Sequence, residues 1–281
     1  MQPNRRRPVC PRLMNLSLAI VGLALVSGCG ANVWIEDIQI VNIPAAELDQ
    51  LAVESHNGDI TLTGSETATD IQVQVVTKFG GWNRASAEKC RDAIQLISEA
   101  EGERGHKLCS KWQGVRQADW RAVVNYEVKL PARLAANLVS HNGDIHTKGL
   151  QGATTILTHN GDVAVKGASS ALDVTTHNGD IHASAPADSM NLATHNGDIH
   201  FDATGAKQLG GRVKSHNGTI IARINEAANT ELACRTHNGR IKLTVPLTVT
   251  SISSRETIGR LGDGTARFEI ETYNGNITLT K

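Results

Sequence analysis

Asp180, His182, Asp198 and His200 are the residues whose types and spacing come nearest to a chemical site. Asp and His at i, i+2 share one face of a strand, and two adjacent strands would bring four N/O ligands together for a divalent cation. Asp144 with His146 is a third such pair, but Ala164 interrupts the series. The wider pattern is two columns, His141, His159, His177 and His195, and Asp144, Asp162, Asp180 and Asp198. Carboxylates stacked at strand spacing repel by roughly 0.9 kcal/mol per pair in water. Protonated histidines or a bound cation would offset that cost. Catalysis needs a singular site with groups in different roles. Here the acids are periodic, no nucleophile–base pair or phosphate-binding Gly-rich loop stands out, and Cys234 has no evident partner. No enzyme is expected, and the divalent cation is the one cofactor candidate.

The columns come from a repeated phrase, Ser/Thr-His-Asn-Gly-Asp-Ile. Full copies occupy 55–60, 140–145, 158–163, 176–181 (with Ile181) and 194–199; altered copies occupy 215–220, 236–241 and 272–277. The step is about 18 residues, widening to about 21, which signals a repeat architecture. Each copy contains Asn-Gly, a strong turn signal because both residues tolerate positive φ. The turn asparagines are Asn57, Asn142, Asn160, Asn178, Asn196, Asn217, Asn238 and Asn274. Flanking residues alternate as strands do, with Leu172, Val174 and Thr176 inward before the turn and Ile181 inward after it. His and Asp are left outside. The pattern predicts an all-β fold, a β-solenoid of parallel rungs of about 18–21 residues. Antiparallel Asn-Gly hairpins are the second arrangement that satisfies it. Parallel rungs would stack the asparagine amides and the inward Thr158, Thr176 and Thr194 hydroxyls into ladders.

An insertion at about 70–131 separates the first copy from the rest. It reads as a strand with Ile71, Val73 and Val75 inward, a helix over 86–100 stopped at Gly102, and a strand ending before Pro131. A degenerate rung is expected at 254–261, and the chain's last strand, with Ile277 and Leu279, is expected at an open edge.

The N-terminus predicts export. Arg5, Arg6, Arg7 and Arg12 precede an apolar run from Leu13 to Val26, too short to span a membrane. Val26-Ser27-Gly28-Cys29 then resembles the bacterial lipobox, which implies a signal peptide at 1–28 and lipidation of Cys29. Gly30 differs from the Asp that resembles an inner-membrane retention signal, so the outer membrane is favoured in a Gram-negative cell. In an oxidising compartment Cys90 and Cys109 are the expected disulfide, closing a loop of about 20 residues for roughly 3 kcal/mol. Lys+Arg and Asp+Glu are both 28, so no basic field points to nucleic acid.

These residues together resemble the bacterial putative-adhesin family, a domain of unknown function built of strand–Asn-Gly-Asp-Ile–strand repeats. Its early insertion ends in a Val-x-Leu-Pro-like strand, here Glu127, Val128, Lys129, Leu130 and Pro131. The resemblance covers most of residues 32–281 and implies a β-solenoid exposed in the cell envelope, with no catalytic residues to carry over. The expected protein is a lipid-anchored binding, adhesin-like or scaffold module (29–281) for a glycan, cell-wall or envelope-protein ligand. A metal-binding or envelope-stress-sensing lipoprotein using the His/Asp ladder is the alternative.

Overall fold

The computed structural model of the chain describes residues 33–167 and 170–281 and the backbone of Ala19–Leu23. The rest of the expected signal peptide, and Cys29, lie outside the described residues. Apart from one helix, the regular elements are strands, arranged in two twelve-stranded sheets. Each copy of the phrase gives one strand to each sheet, with the Asn-Gly corner between them. Successive copies pair in parallel and in register: Asn142, Asn160, Asn178, Asn196 and Asn217 lie opposite one another in turn. Ile145, Val163, Ile181, Ile199 and Ile220 do the same in the second sheet. The rungs are therefore parallel, and the hairpin alternative fails. The corner differs from a hairpin turn too, because no described non-glycine residue has positive φ.

Alternation along the strands sends one face inward. Leu172, Val174, Ile181, Leu192, Ile199, Val213 and Ile220 are each at most 1% exposed and join one core running from Val41 to Leu279. Stacking is what buries these faces, since a single rung has no core of its own.

The insertion forms a cap over the first rung. Strands Val33–Pro44 and Arg121–Pro131 flank Asp70–Gly81, each antiparallel to it, and Arg121–Pro131 pairs in parallel with Ile60–Ser65 of the first rung. That first rung lies directly against the Asn142 rung despite the gap in sequence. The helix is shorter than expected, Arg84–Asp92, capped by the Asn83 side chain accepting from Ser86 N at 2.9 Å. Residues 94–101 form a strand instead, paired with Gly105–Trp112. Gly102, with φ +68°, makes the tight turn between them rather than stopping a helix.

Three further expectations are corrected. The last rung is not at an edge: its strands Ala266–Asn274 and Ile277–Thr280 lie between those of the Asn217 and Asn238 rungs. The expected rung at 254–261 is an antiparallel strand, Glu256–Leu261, closing the far end beside Thr248–Ile252. It lacks an Asn-Gly corner and so cannot cross between sheets. Cys90 and Cys109 are free thiols. Cys90 sits in the cap's small core with Phe79, Ala87 and Trp120, its Sγ 3.3 Å from the Arg121 carbonyl it donates to, and burial pushes its thiol up to about 11. Cys109 lies on a different element, opposite Glu54 and Ile97.

The cap carries a pH-sensitive group. His106 is 8% exposed, its Nε2 lies 2.8 Å from Ser98 Oγ, and burial lowers its pKa from the ordinary value of 6.5. The unfolded chain then binds the proton more readily than the folded one, so this contribution to stability is lost as pH falls below about 6.5. In denaturant titrations across pH 7.5 to 5, about the range over which histidine titrates, His106→Gln is expected to flatten that part of the stability profile. An unchanged slope would contradict this origin.

Candidate functional site: a groove beside the histidine column

Most of the repeated phrase is spent on its neighbours. The Asn side chains form one continuous chain of bonds, each Nδ2 donating to the Oδ1 of the rung nearer the cap at 2.7–2.8 Å, from Asn142 onto Asn57 through to Asn238 onto Asn274. The Asp side chains bond to backbone: Oδ1 of Asp59, Asp144, Asp162, Asp180 and Asp198 each accepts from the N–H of the corresponding residue one rung on, at 2.7–2.9 Å. These charge-assisted bonds offset the repulsion along the Asp column. The Thr and Ser hydroxyls form no ladder with each other. They donate to glycine carbonyls of the preceding rung, as Thr176 does to Gly161 O at 3.2 Å and Thr194 to Gly179 O at 3.0 Å. Glycine is needed because the corners stack backbone on backbone.

Histidine is the exception. His56, His141, His159, His177, His195 and His216, then Tyr273 and His237, form one column of rings with centroids 4.5–5.0 Å apart. Among the described residues these imidazoles have no hydrogen-bond or ion-pair partner, and all but the half-buried His216 are exposed.

Strand geometry sets what lies beside them. The residue two before each histidine points to the same face, giving a second column of Glu54, Val139, Leu157, Thr175, Ala193 and Lys214. Its centre is mainly apolar, Val139, Leu157 and Ala193 with Thr175 among them, and Leu157 is 49% exposed. Together the two columns line a groove of about 910 Å³, lined at the cap end by Cys109, Ser110 and Lys111. Its ends are charged. Glu54 pairs with Lys107 at 2.6 Å, and Glu271, held below the usual carboxylate range by Arg212, lies 3.7 Å from Lys214. Sequence reading missed this second column, although its signal was there: a fixed offset of two before every histidine. The cap contribution had no such signal, because it depends on where Gly105–Trp112 pairs.

The predicted metal set does not assemble. Asp180 lies in the corner before the strand Ile181–Ser184, not on the strand face with His182, and its Oδ1 is bonded to Asp198 N. Asp198 Oδ1 is likewise bonded to Thr219 N. His182 and His200 lie edge to face at 5.0 Å, on the sheet opposite the histidine column. Among the described residues no three His, Cys, Asp or Glu side chains converge on a point that could hold a metal ion.

Two parallel sheets joined by glycine corners, with every rung bonded to the next, define a repeat module whose faces are periodic rather than singular. The chain belongs to the Toastrack DUF4097 family, whose model matches residues 127–280, more than half of its length. The first rung and most of the cap precede that match. Solved structures with a similar course include a putative cell adhesion protein from Clostridium sporogenes, 10% identical, matched over 88% of this chain and 99% of its own, with TM-score 0.39. A putative adhesin from Bacteroides fragilis is 13% identical over 86% of this chain and 96% of its own, with TM-score 0.37. A putative lipid binding protein from Parabacteroides distasonis is 13% identical over 87% and 97%, with TM-score 0.34. No curated protein matches the chain. Among the described residues the polar side chains repeat from rung to rung, and no differentiated catalytic constellation stands apart from them.

Proposed function

We propose that this is a lipid-anchored protein of the cell envelope, tethered through Cys29, whose histidine groove holds an extended cell-wall glycan strand. The observation that carries the reading is the division of labour within the phrase. Ser/Thr, Asn, Gly and Asp are consumed in joining rungs, whereas the repeated histidines are left unbonded at the surface. A neutral imidazole offers one donor and one acceptor, which suits hydroxyl groups that both give and take hydrogen bonds. The Val139, Leu157 and Ala193 stripe beside it suits the C–H faces of pyranose rings, and the groove runs straight across the rungs, which suits a linear polymer. The tether is supported by the basic start, the short apolar run and the Val26-Ser27-Gly28-Cys29 ending. In a Gram-negative cell that sequence favours the outer membrane.

Two measurements test the two halves. Cys29→Ala is expected to move the protein from the membrane to the soluble fraction; retention in the membrane after signal removal would contradict the tether. Purified sacculi are expected to co-sediment the wild type, with binding reduced at least tenfold in Leu157→Glu/Ala193→Glu, about the effect of losing 1.4 kcal/mol. Equal sedimentation of both, or of neither, would contradict the groove as a glycan site and turn the search to envelope proteins.

A further inference from the structure

The chain has four tryptophans, and all four lie near one corner of the cap. Trp34 pairs with Gly80. Trp82 follows directly, its N–H donating to Asp119 Oδ2 at 3.4 Å. Trp120 is next to Asp119 and stacks on Trp112 with centroids 6.1 Å apart, and Arg116 lies 5.1 Å above the Trp112 ring. Trp120 is buried in the cap's small core with Ile35 and Phe79, but the rim of the corner is open. Trp82 is 65% exposed and Val115 is 89% exposed. Nothing in the rung architecture requires an apolar rim there, because this corner lies outside the stack.

The position of the corner relative to Cys29 gives it a partner. Only Gly30, Ala31 and Asn32 separate Cys29 from Val33, and Val33 pairs with Gly81, the residue before Trp82. Four Cα steps span at most about 14 Å. An acylated Cys29 would therefore hold the Trp82 rim within reach of the lipid headgroups. Indole rings favour that layer, being apolar with one polar edge. Arg116, in the same loop as Val115, adds a cationic group with a long stem suited to an anionic surface.

We infer that Trp82 and Val115 dock into the headgroup region of the membrane that carries lipidated Cys29, giving the protein a second point of attachment and a fixed orientation. The inference rests on the lipid-anchor reading of Cys29. Its consequence is that the histidine groove, whose cap end is lined by Cys109 and Lys111, begins at the membrane side and runs away from it along the stack.

The test uses the full lipidated protein reconstituted into vesicles of phosphatidylethanolamine and phosphatidylglycerol, with and without bromine on the acyl chains near the headgroups. Brominated lipid is expected to quench the tryptophan emission of the wild type. Trp82→Phe is expected to lose most of that quenching, since the other three indoles are more deeply packed. Protein that floats with the vesicles but shows no bromine-dependent quenching would overturn the docking while leaving the anchor intact. Equal quenching of wild type and Trp82→Phe would overturn the role of Trp82. Absence of an acyl mass on Cys29, with no flotation, would remove the anchor reading and this inference with it.

Discussion

Gly179→Ala is expected to destabilise the stack more than any other single change considered. A Cβ there would lie 2.0 Å from the Gly161 carbonyl oxygen and 2.6 Å from its carbon. Both are backbone atoms, so no rotamer change relieves the clash. The rungs cannot spread to admit it, because Gly179 N bonds to Asn196 O and Gly161 N to Asn178 O, each at 3.0 Å. The same approach recurs at Gly161, Gly197 and Gly218, with distances of 1.9–2.1 Å. A loss of about 4 kcal/mol is expected, in the range reserved for severe steric conflict and large beside a total stability of about 5–15 kcal/mol. For a chain of this size that corresponds to a fall in Tm of about 8–16 °C. Gly102→Ala serves as the control: nothing lies within 4 Å of its Cβ, and only the φ of +68° opposes the change, a strain of about 1–2 kcal/mol. Equal thermal shifts for the two variants would contradict the packing argument.

Asn178→Asp is expected to produce the second largest loss, with a distinctive pH dependence. Asn178 Nδ2 donates to Asn160 Oδ1, and its own Oδ1 accepts from Asn196 Nδ2, both at 2.8 Å. Aspartate keeps the shape and the acceptor but turns a carboxylate oxygen toward the Asn160 oxygen. The lost donor and the opposed charge are expected to cost about 2–4 kcal/mol at neutral pH. A protonated carboxyl can donate again, so the folded state raises the pKa of this new group above its unfolded value of about 3.9. The penalty is therefore present above the folded pKa and is relieved as pH falls through it. Thermal unfolding of variant and wild type at pH 7 and pH 4.5 should show the gap narrowing in acid; a constant gap would place the cost elsewhere.

The rungs were legible because one phrase serves the same purpose at every copy. Alternation around Thr176 and Ile181 identified the inner faces, and the shared offset of Asn142, Asn160, Asn178 and Asn196 identified the ladder. The role of Asp was less accessible. Its oxygen reaches a backbone N–H on a neighbouring rung, a partner that sequence does not display. That partner also accounts for Arg240. The Asn238 rung is last in the stack, so Arg240 has no further rung to accept from, and it only donates its N–H to Asn276 Oδ1, at 2.9 Å. At the other end Asn125 Oδ1 supplies the first acceptor, to Asp59 N at 2.9 Å. Spatial order near the C-terminus was hidden for a related reason: the chain folds its final rung back between two earlier ones, and equal phrases fit equally well in either order. The metal reading failed because i, i+2 spacing places two side chains on one face only within a strand, whereas Asp180 belongs to the corner.

Whether the histidine column binds glycan is decided by modifying the histidines with diethyl pyrocarbonate, with and without soluble glycan strands released from sacculi, and mapping the adducts by mass spectrometry. Glycan is expected to protect His141, His159, His177 and His195, while His182 and His200, on the opposite sheet, react as before. Equal modification of the column with and without glycan, or protection of His182 and His200 instead, would contradict glycan binding by the column.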